Sequence, residues 1–330
     1  MVFKIRHHSL LRMFFVGSLF VTLPLAAHKD AAIPATPLKE SACRFFPPNQ
    51  LKFPVRPSGQ ISEMTVNRIL QVTQQVYSPL FRQAGFAPLR LMSRWQDDSV
   101  NAFAIPCNQP GYLGHPQYPK ECQLMRTADD VITPFSLVVL FGGLARHPLM
   151  TPEGLVLVAC HEIGHHLGGF PRYKNNTAWG STEGQSDYFA TAKCARRIFA
   201  ALGQNAAWAQ RAPVPLDVRV QCQASFPQSA EQAGICMRSA LGGLSLARVL
   251  STARGADPRV IDFRNKNQNA VPVTFEGHPE AQCRLDTYYA GSICQVSENE
   301  TFGRGDARQG ACHATRLQNR GVRPNCWFKE

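Results

Sequence analysis

Apolar residues recur at helical spacing across residues 63–83. Val66, Ile69, Leu70, Val76, Tyr77, Leu80 and Phe81 share one face with Thr73 as its polar member, and Gly85 ends the run. Pro79 lies inside this span and predicts a kink or split near Ser78. The run "PLRLMSRW" predicts a strand, "NAFAIP" (101–106) leads into a loop holding Cys107 and Cys122, and "FSLVVLF" (135–141) predicts a second strand. Thr151 as N-cap, Pro152 at the first helical position and Glu153 in the first turn start a helix that runs to Leu167, before Gly168, Gly169 and Pro171. Its first half, "LVLVAC", is apolar all round and predicts a buried helix. Thr182 and Gln185 form a capping-box pattern that opens a helix from Glu183 to Leu202, and a further helix is expected over 230–254. These elements predict an α+β fold, mainly helical with a small β-sheet.

Composition places the chain among globular proteins: of 330 residues, 44% are hydrophobic and only 18% charged. Residues 1–27 read as a signal peptide, with Lys4, Arg6 and Arg12 preceding an apolar run over 13–25 that ends in Ala26 and Ala27. About 13 apolar residues are too few for a bilayer, which needs ~20, so cleavage and export to a periplasmic or secreted location are expected. No later segment reads as long enough to cross a membrane. Residues 28–60 are rich in Pro and small residues and read as an extended linker.

Export changes the reading of the eleven cysteines, all of which follow the signal: most should form disulfides, and an odd number leaves at least one unpaired within the chain. Proximity suggests Cys107 with Cys122, Cys222 with Cys236, Cys283 with Cys294, and Cys312 with Cys326. Cys43 reads as a surface-paired or free cysteine. The net charge of +12, or +9 without the three basic signal residues, favours contact with anionic envelope material. Its basic residues are dispersed, which argues against a nucleic-acid partner.

The chemistry centres on "CHEIGHHLGGFPRY" (160–173). Four helical residues advance about 400°, so His161 and His165 lie about 40° apart on one face, as two imidazoles on one metal require. Glu162, about 100° round from His161, can reach a metal-activated water as general base. His166 is one residue too far round and reads as partly exposed or packed behind the ligands. Two His and a Glu in an otherwise apolar helix would be costly to bury without a metal.

For the third ligand, the arrangement His-Glu-x-x-His-x-x-Gly-x-x-His fails, because Pro171 stands at its final position. Glu183, 18 residues after His165, is favoured over a plain first-turn Glu facing the helix dipole. Asp187 lies one turn later on the same face and can accept the free ring N–H of a ligand histidine. Two His and one Glu leave a fourth position open, the mark of catalytic zinc, Zn2+, one per chain. Adjacent helical residues diverge, so Cys160 is no ligand beside His161, and a disulfide to Cys194 joining the two ligand helices is the better expectation.

In order, "NAFA" (101–104), "FSLVVLFGGLA", "HEIGHH", "EGQSDYFA" and "HPEAQCRL" (278–285) resemble the zinc metallopeptidases of the HtpX and CAAX prenyl protease type, within the Glu-zincin group. The resemblance spans roughly 101–285 and implies a zincin-type metallopeptidase domain over 61–285, followed by a Cys-rich extension over 286–330. It implies His161, His165 and Glu183 as zinc ligands, Glu162 as base and Asp187 behind them. It further implies His278 at the oxyanion, Arg284 supporting the carboxylates and Asn101 near bound substrate. On their own, His278 and Arg284 would read as surface residues.

The cysteine-bracketed insertion after "NAFAIP", the lack of the membrane helices found in many members, and the Cys-rich end all depart from that pattern. The expected activity is a zinc-dependent endopeptidase acting on protein or peptide substrates, with strand 135–141 holding an extended peptide by edge pairing. Two other readings stay open: a non-catalytic zinc-containing envelope binding factor, and an amidase of cell-wall peptides.

Overall fold

The structure is a computed structural model that describes residues 42–55, 61–116, 118–174, 178–317 and 319–330. The predicted signal peptide and most of the predicted linker lie outside these residues. Four strands, β1 (Cys43–Arg44), β2 (Leu89–Arg94), β3 (Ala102–Cys107) and β4 (Phe135–Phe141), form one sheet in the order β1-β3-β4-β2. β3 runs antiparallel to β1 and β4, and β2 runs parallel to β4.

All seven residues of β4 are buried, because both of its edges are paired and both of its faces are covered. The period of two sorts them: Leu137 and Val139 join a small core with Tyr118, Cys122 and Met125 of the insertion, whereas Val138 and Leu140 face the main helical core. An interior strand has no free edge, so the expected peptide pairing at β4 does not hold.

The helices are α1 (Glu63–Gln83), α2 (Gly142–Ala145), α3 (Pro152–Leu167), α4 (Glu183–Phe189), α5 (Ala195–Leu202), α6 (Asn205–Arg211), α7 (Leu216–Ser225), α8 (Ala230–Ala253) and α9 (Ala281–Ile293). The expected amphipathic helix is α1, which continues through Pro79 without a break, with Tyr77 and Phe81 buried on either side. The expected single helix from Glu183 is a rod in which α4 and α5 join through a wide π turn, Ala190–Cys194. The capping box does not form: Thr182 Oγ1 is buried without a partner. Gln185 instead donates its amide to the carbonyl of Gly168 at 2.6 Å, satisfying an orphan acceptor at the end of α3.

Helix α3 sits at the centre, between the sheet and α8, with α1 and α4 alongside. Helix α8 is long and apolar enough to cross a bilayer by length and composition, contrary to expectation, but most of it is buried against α3, α6, α7 and α9.

Five disulfides form among the described residues, a number in keeping with an oxidising environment. Cys107–Cys122, Cys222–Cys236 and Cys160–Cys194 are as expected. The C-terminal pairs are not nearest neighbours: Cys283 bonds Cys326, and Cys294 bonds Cys312. Cys283 and Cys294 stand at opposite ends of α9, a rigid rod that keeps them apart.

Described residues on both sides of the boundaries drawn at 60 and 285 share one hydrophobic core. Part of the expected linker is built into the core, with β1 in the sheet and Phe45 and Phe46 fully buried. The expected C-terminal extension begins inside α9 and returns to bury Trp327 against α4.

Candidate metal centre

Helix α3 starts where expected, with Thr151 Oγ1 accepting from Gly154 N at 3.1 Å. One turn before its end, His161 and His165 stack edge to face, their ring centroids 4.7 Å apart. Gly164 lies between them in sequence and lets α4 approach closely, since a Cβ there would press on the backbone of Ser186. The Cys160–Cys194 disulfide ties α3 to the π turn that continues α4.

Both imidazoles are fully buried, and each has one committed nitrogen. His161 Nδ1 lies 2.7 Å from Asp187 Oδ1, and His165 Nδ1 lies 2.8 Å from the carbonyl oxygen of Ser181. A carbonyl only accepts, so His165 carries its proton on Nδ1 and its Nε2 lone pair is free. Both Nε2 atoms lack a hydrogen-bond partner.

Glu183, at the first position of α4, accepts from the Tyr173 hydroxyl through Oε1 at 2.8 Å, while its Oε2 makes no hydrogen bond. The two imidazole Nε2 atoms lie 3.3 and 3.6 Å from the Glu183 carboxylate. Ligand atoms on one tetrahedral ion with bonds of ~2.1 Å lie about 3.4 Å apart. His161, His165 and Glu183 form a buried group that can hold a metal ion. Three converging polar atoms without partners would cost on the order of 1–3 kcal/mol each in a dry interior, and a cation removes that cost.

Electrostatics fit the same arrangement. Burial drives His165 down to about 4, keeping it neutral and able to ligate. Burial also works to lower His161, but the Asp187 and Glu183 carboxylates outweigh it and hold it at about 9. Burial raises the Glu183 carboxyl, yet the neighbouring His278 and His161 hold it well below the usual carboxylate range.

Glu162 is fully buried with both oxygens unpartnered, and burial, reinforced by Glu183 and Asp187, pushes its pKa well up. Such a carboxyl takes and holds a proton readily.

Asp187 is set from behind by Arg284, which makes a two-pronged contact at 2.7 and 2.6 Å, and by the Tyr288 hydroxyl at 2.5 Å. All three are buried. Arg284 and Tyr288 lie one turn apart on α9, so a third helix orients the carboxylate that orients His161.

The structure brings together His161, Glu162, His165, Glu183, Asp187 and Arg284. His278, in the approach to α9, places Nε2 3.5 Å from Glu183 Oε2 and 2.7 Å from the carbonyl oxygen of Arg44. Asn101 holds the chain's own Phe46, accepting from its N–H at 3.1 Å and donating to its carbonyl at 3.2 Å. Of the two expectations for His166, partly exposed or packed behind the ligands, burial removes the first: it lies among Phe81, Phe86 and Trp179, and burial lowers it to about 3.

Sequence reasoning missed Tyr173, Ser181, Tyr288 and Phe45. Tyr288 carried a signal, since it stands four residues after Arg284 on what proves to be a helix; Tyr173 and Ser181 act from loops with no spacing rule. Phe45 stacks edge-on over His161 at 4.8 Å, and its ring also lies under the Arg284 guanidinium. Cys43, alone among the described residues in being a cysteine outside a disulfide, is buried. Burial, with the charges of Glu183 and Glu162, holds its thiol protonated.

The chain matches no protein-family model, no curated protein and no solved structure.

Proposed function

We propose that the protein is a zinc-dependent endopeptidase with a zincin-type domain, exported to a periplasmic or extracellular space. The observation that carries this reading is the convergence of His161 Nε2, His165 Nε2 and Glu183 Oε2, all buried and unpartnered, with the unpartnered carboxyl of Glu162 beside them. Two imidazoles and a carboxylate suit zinc, and three protein ligands leave a position for the reaction. When bound there, zinc supplies Lewis acidity that activates water near neutral pH and polarises the scissile carbonyl.

The residues divide the remaining work. Glu162 takes the proton of the attacking water on its carboxylate and passes it to the leaving amine. Its buried setting favours the protonated form needed for the second half of that transfer, and the positive charge of a bound cation would favour the carboxylate needed for the first. Asp187 accepts the His161 Nδ1–H and keeps the opposite nitrogen aimed at the metal, and Arg284 and Tyr288 stop that carboxylate from turning. Tyr173 holds one oxygen of Glu183 so that the other is presented. In this reading His278 donates to the oxygen on which charge develops, a role supported by the contact of its Nε2 with the Arg44 carbonyl oxygen. The resemblance to the HtpX type implies the same roles for Glu162, Asp187, His278 and Arg284.

The test is metal analysis and peptide hydrolysis on the wild type and on Glu162→Gln. One zinc per chain in both proteins, with hydrolysis of an unfolded protein substrate lost only in the variant, is expected. Unchanged hydrolysis by the variant would refute the assignment.

A further inference from the structure

A peptidase site must admit a peptide, yet His161, Glu162 and His165 have no exposed surface and Glu183 has almost none. Part of what covers them is the chain itself. β1 adds only two residues to the edge of β3, pairing Cys43 with Ala104 and Arg44 with Phe103, and Phe45 N donates to the carbonyl of Ala102 at 3.1 Å.

Over the next residues the site holds the backbone of this segment. His278 Nε2 lies 2.7 Å from the Arg44 carbonyl oxygen, Arg284 Nη1 donates to the Phe45 carbonyl at 3.0 Å, and Asn101 takes both the N–H and the carbonyl of Phe46. Strand alternation turns Cys43 and Phe45 to the same side, inward, and leaves the Arg44 side chain outside. Phe45 lies against a metal-ligand ring, and Cys43 sits within the field of Glu183 and Glu162.

Contacts to main-chain groups along an open strand edge are how an extended peptide is bound irrespective of its sequence. The same His278 nitrogen touches both Glu183 and the Arg44 carbonyl, which sets that carbonyl beside the metal ligands as a scissile carbonyl would be.

We propose that residues 43–46 are a built-in peptide ligand, occupying antiparallel to β3 the channel that takes an extended peptide substrate, so that the protein is latent until this segment is displaced. The proposal rests on the peptidase reading of the site. A short strand held by main-chain hydrogen bonds is a smaller element to move than α3, α4 or α9, which carry the ligands and their supports. While it stays in place, an external peptide binds only to the open fraction, and its apparent affinity is reduced by that fraction.

The test uses the full-length, metal-loaded Glu162→Gln chain, in which bound peptide is not consumed. The probe is a synthetic peptide with the sequence of residues 42–48 and Ser in place of Cys43. Cys43 should be alkylated slowly by iodoacetamide, and saturating probe should speed this roughly tenfold or more, as expected where a closed state dominates. Phe45→Gly should raise both the alkylation rate and the probe affinity by a similar factor, with metal content and circular dichroism unchanged.

If Phe45→Gly fails to fold, the probe experiment on the parent chain decides alone. Probe that binds without exposing Cys43, or that binds neither chain, overturns the proposal. A Phe45→Gly chain with Glu162 intact that binds probe and exposes Cys43 but hydrolyses nothing overturns the peptidase reading and leaves the channel standing.

Discussion

His161 Nδ1 and Asp187 Oδ1 lie 2.7 Å apart, and this contact joins the metal-facing helix to a buried network that ends on α9. Its charge is balanced by Arg284, so the pair and its counter-ion act as one unit. Asp187→Asn should lower metal affinity by about 10–100-fold. Leaving the buried Arg284 without a counter-charge should also cost about 3–5 kcal/mol of stability. Chelator competition and thermal unfolding measure the two effects, and an unchanged metal affinity would remove Asp187 from the site.

Metal uptake should release protons. His161 is held at about 9 in the metal-free chain and so is protonated at pH 7, whereas a coordinating Nε2 must be bare. At least one proton should leave per metal bound at pH 7, and affinity should rise with pH and level off above about 9. In the metal-free chain the same raised pKa stabilises the fold fully below 6.5 and fades as pH climbs through about 9. Calorimetry in buffers of different ionisation enthalpy counts the protons; a heat independent of buffer at pH 7 would contradict this.

Gly184, next to the ligand Glu183, lies against the indole of Trp327, where an added Cβ would overlap the ring. Gly184→Ala should destabilise the fold by on the order of 1–3 kcal/mol through overpacking and weaken metal binding by displacing Glu183. Denaturant unfolding with and without added zinc reads both consequences.

The Cys160–Cys194 disulfide closes a loop of 34 residues between the two ligand-bearing segments. Removing it in Cys160→Ala/Cys194→Ala should cost about 2–4 kcal/mol, and metal affinity should fall with it. The matching change in Cys222→Ala/Cys236→Ala, remote from the ligands, should lower stability while metal affinity stays constant in the folded fraction.

Much of the site was legible because it obeys local rules. The spacing of His161, Glu162 and His165 fixes their directions on any helix, and Thr151 and Pro152 marked where that helix begins. Glu183 and Asp187 share a face for the same reason. What was not legible depends on the chain folding back on itself. β3 is short, contains two Ala and a Pro, and gains strand character only between its neighbours. Gln185 followed a capping pattern, but the nearby carbonyl of Gly168 was the stronger attraction. Nearest-neighbour pairing failed for Cys283 and Cys294 because α9, whose apolar periodicity is weak, holds them at opposite ends. Phe45 and Phe46 lay in a Pro-rich stretch that resembled a spacer, and only the pairing partner Ala102 gives that stretch a place.

The contact of Trp327 with Gly184, and the bond from Cys326 to Cys283 beside Arg284, set an order of assembly. Gly184, the neighbour of Glu183, packs on Trp327, a residue far later in the sequence than either histidine. A polypeptide still being synthesised therefore has its two histidines long before it has the indole that packs beside Glu183. The candidate metal pocket is complete only once Trp327 packs on Gly184 and Cys326 is oxidised onto Cys283.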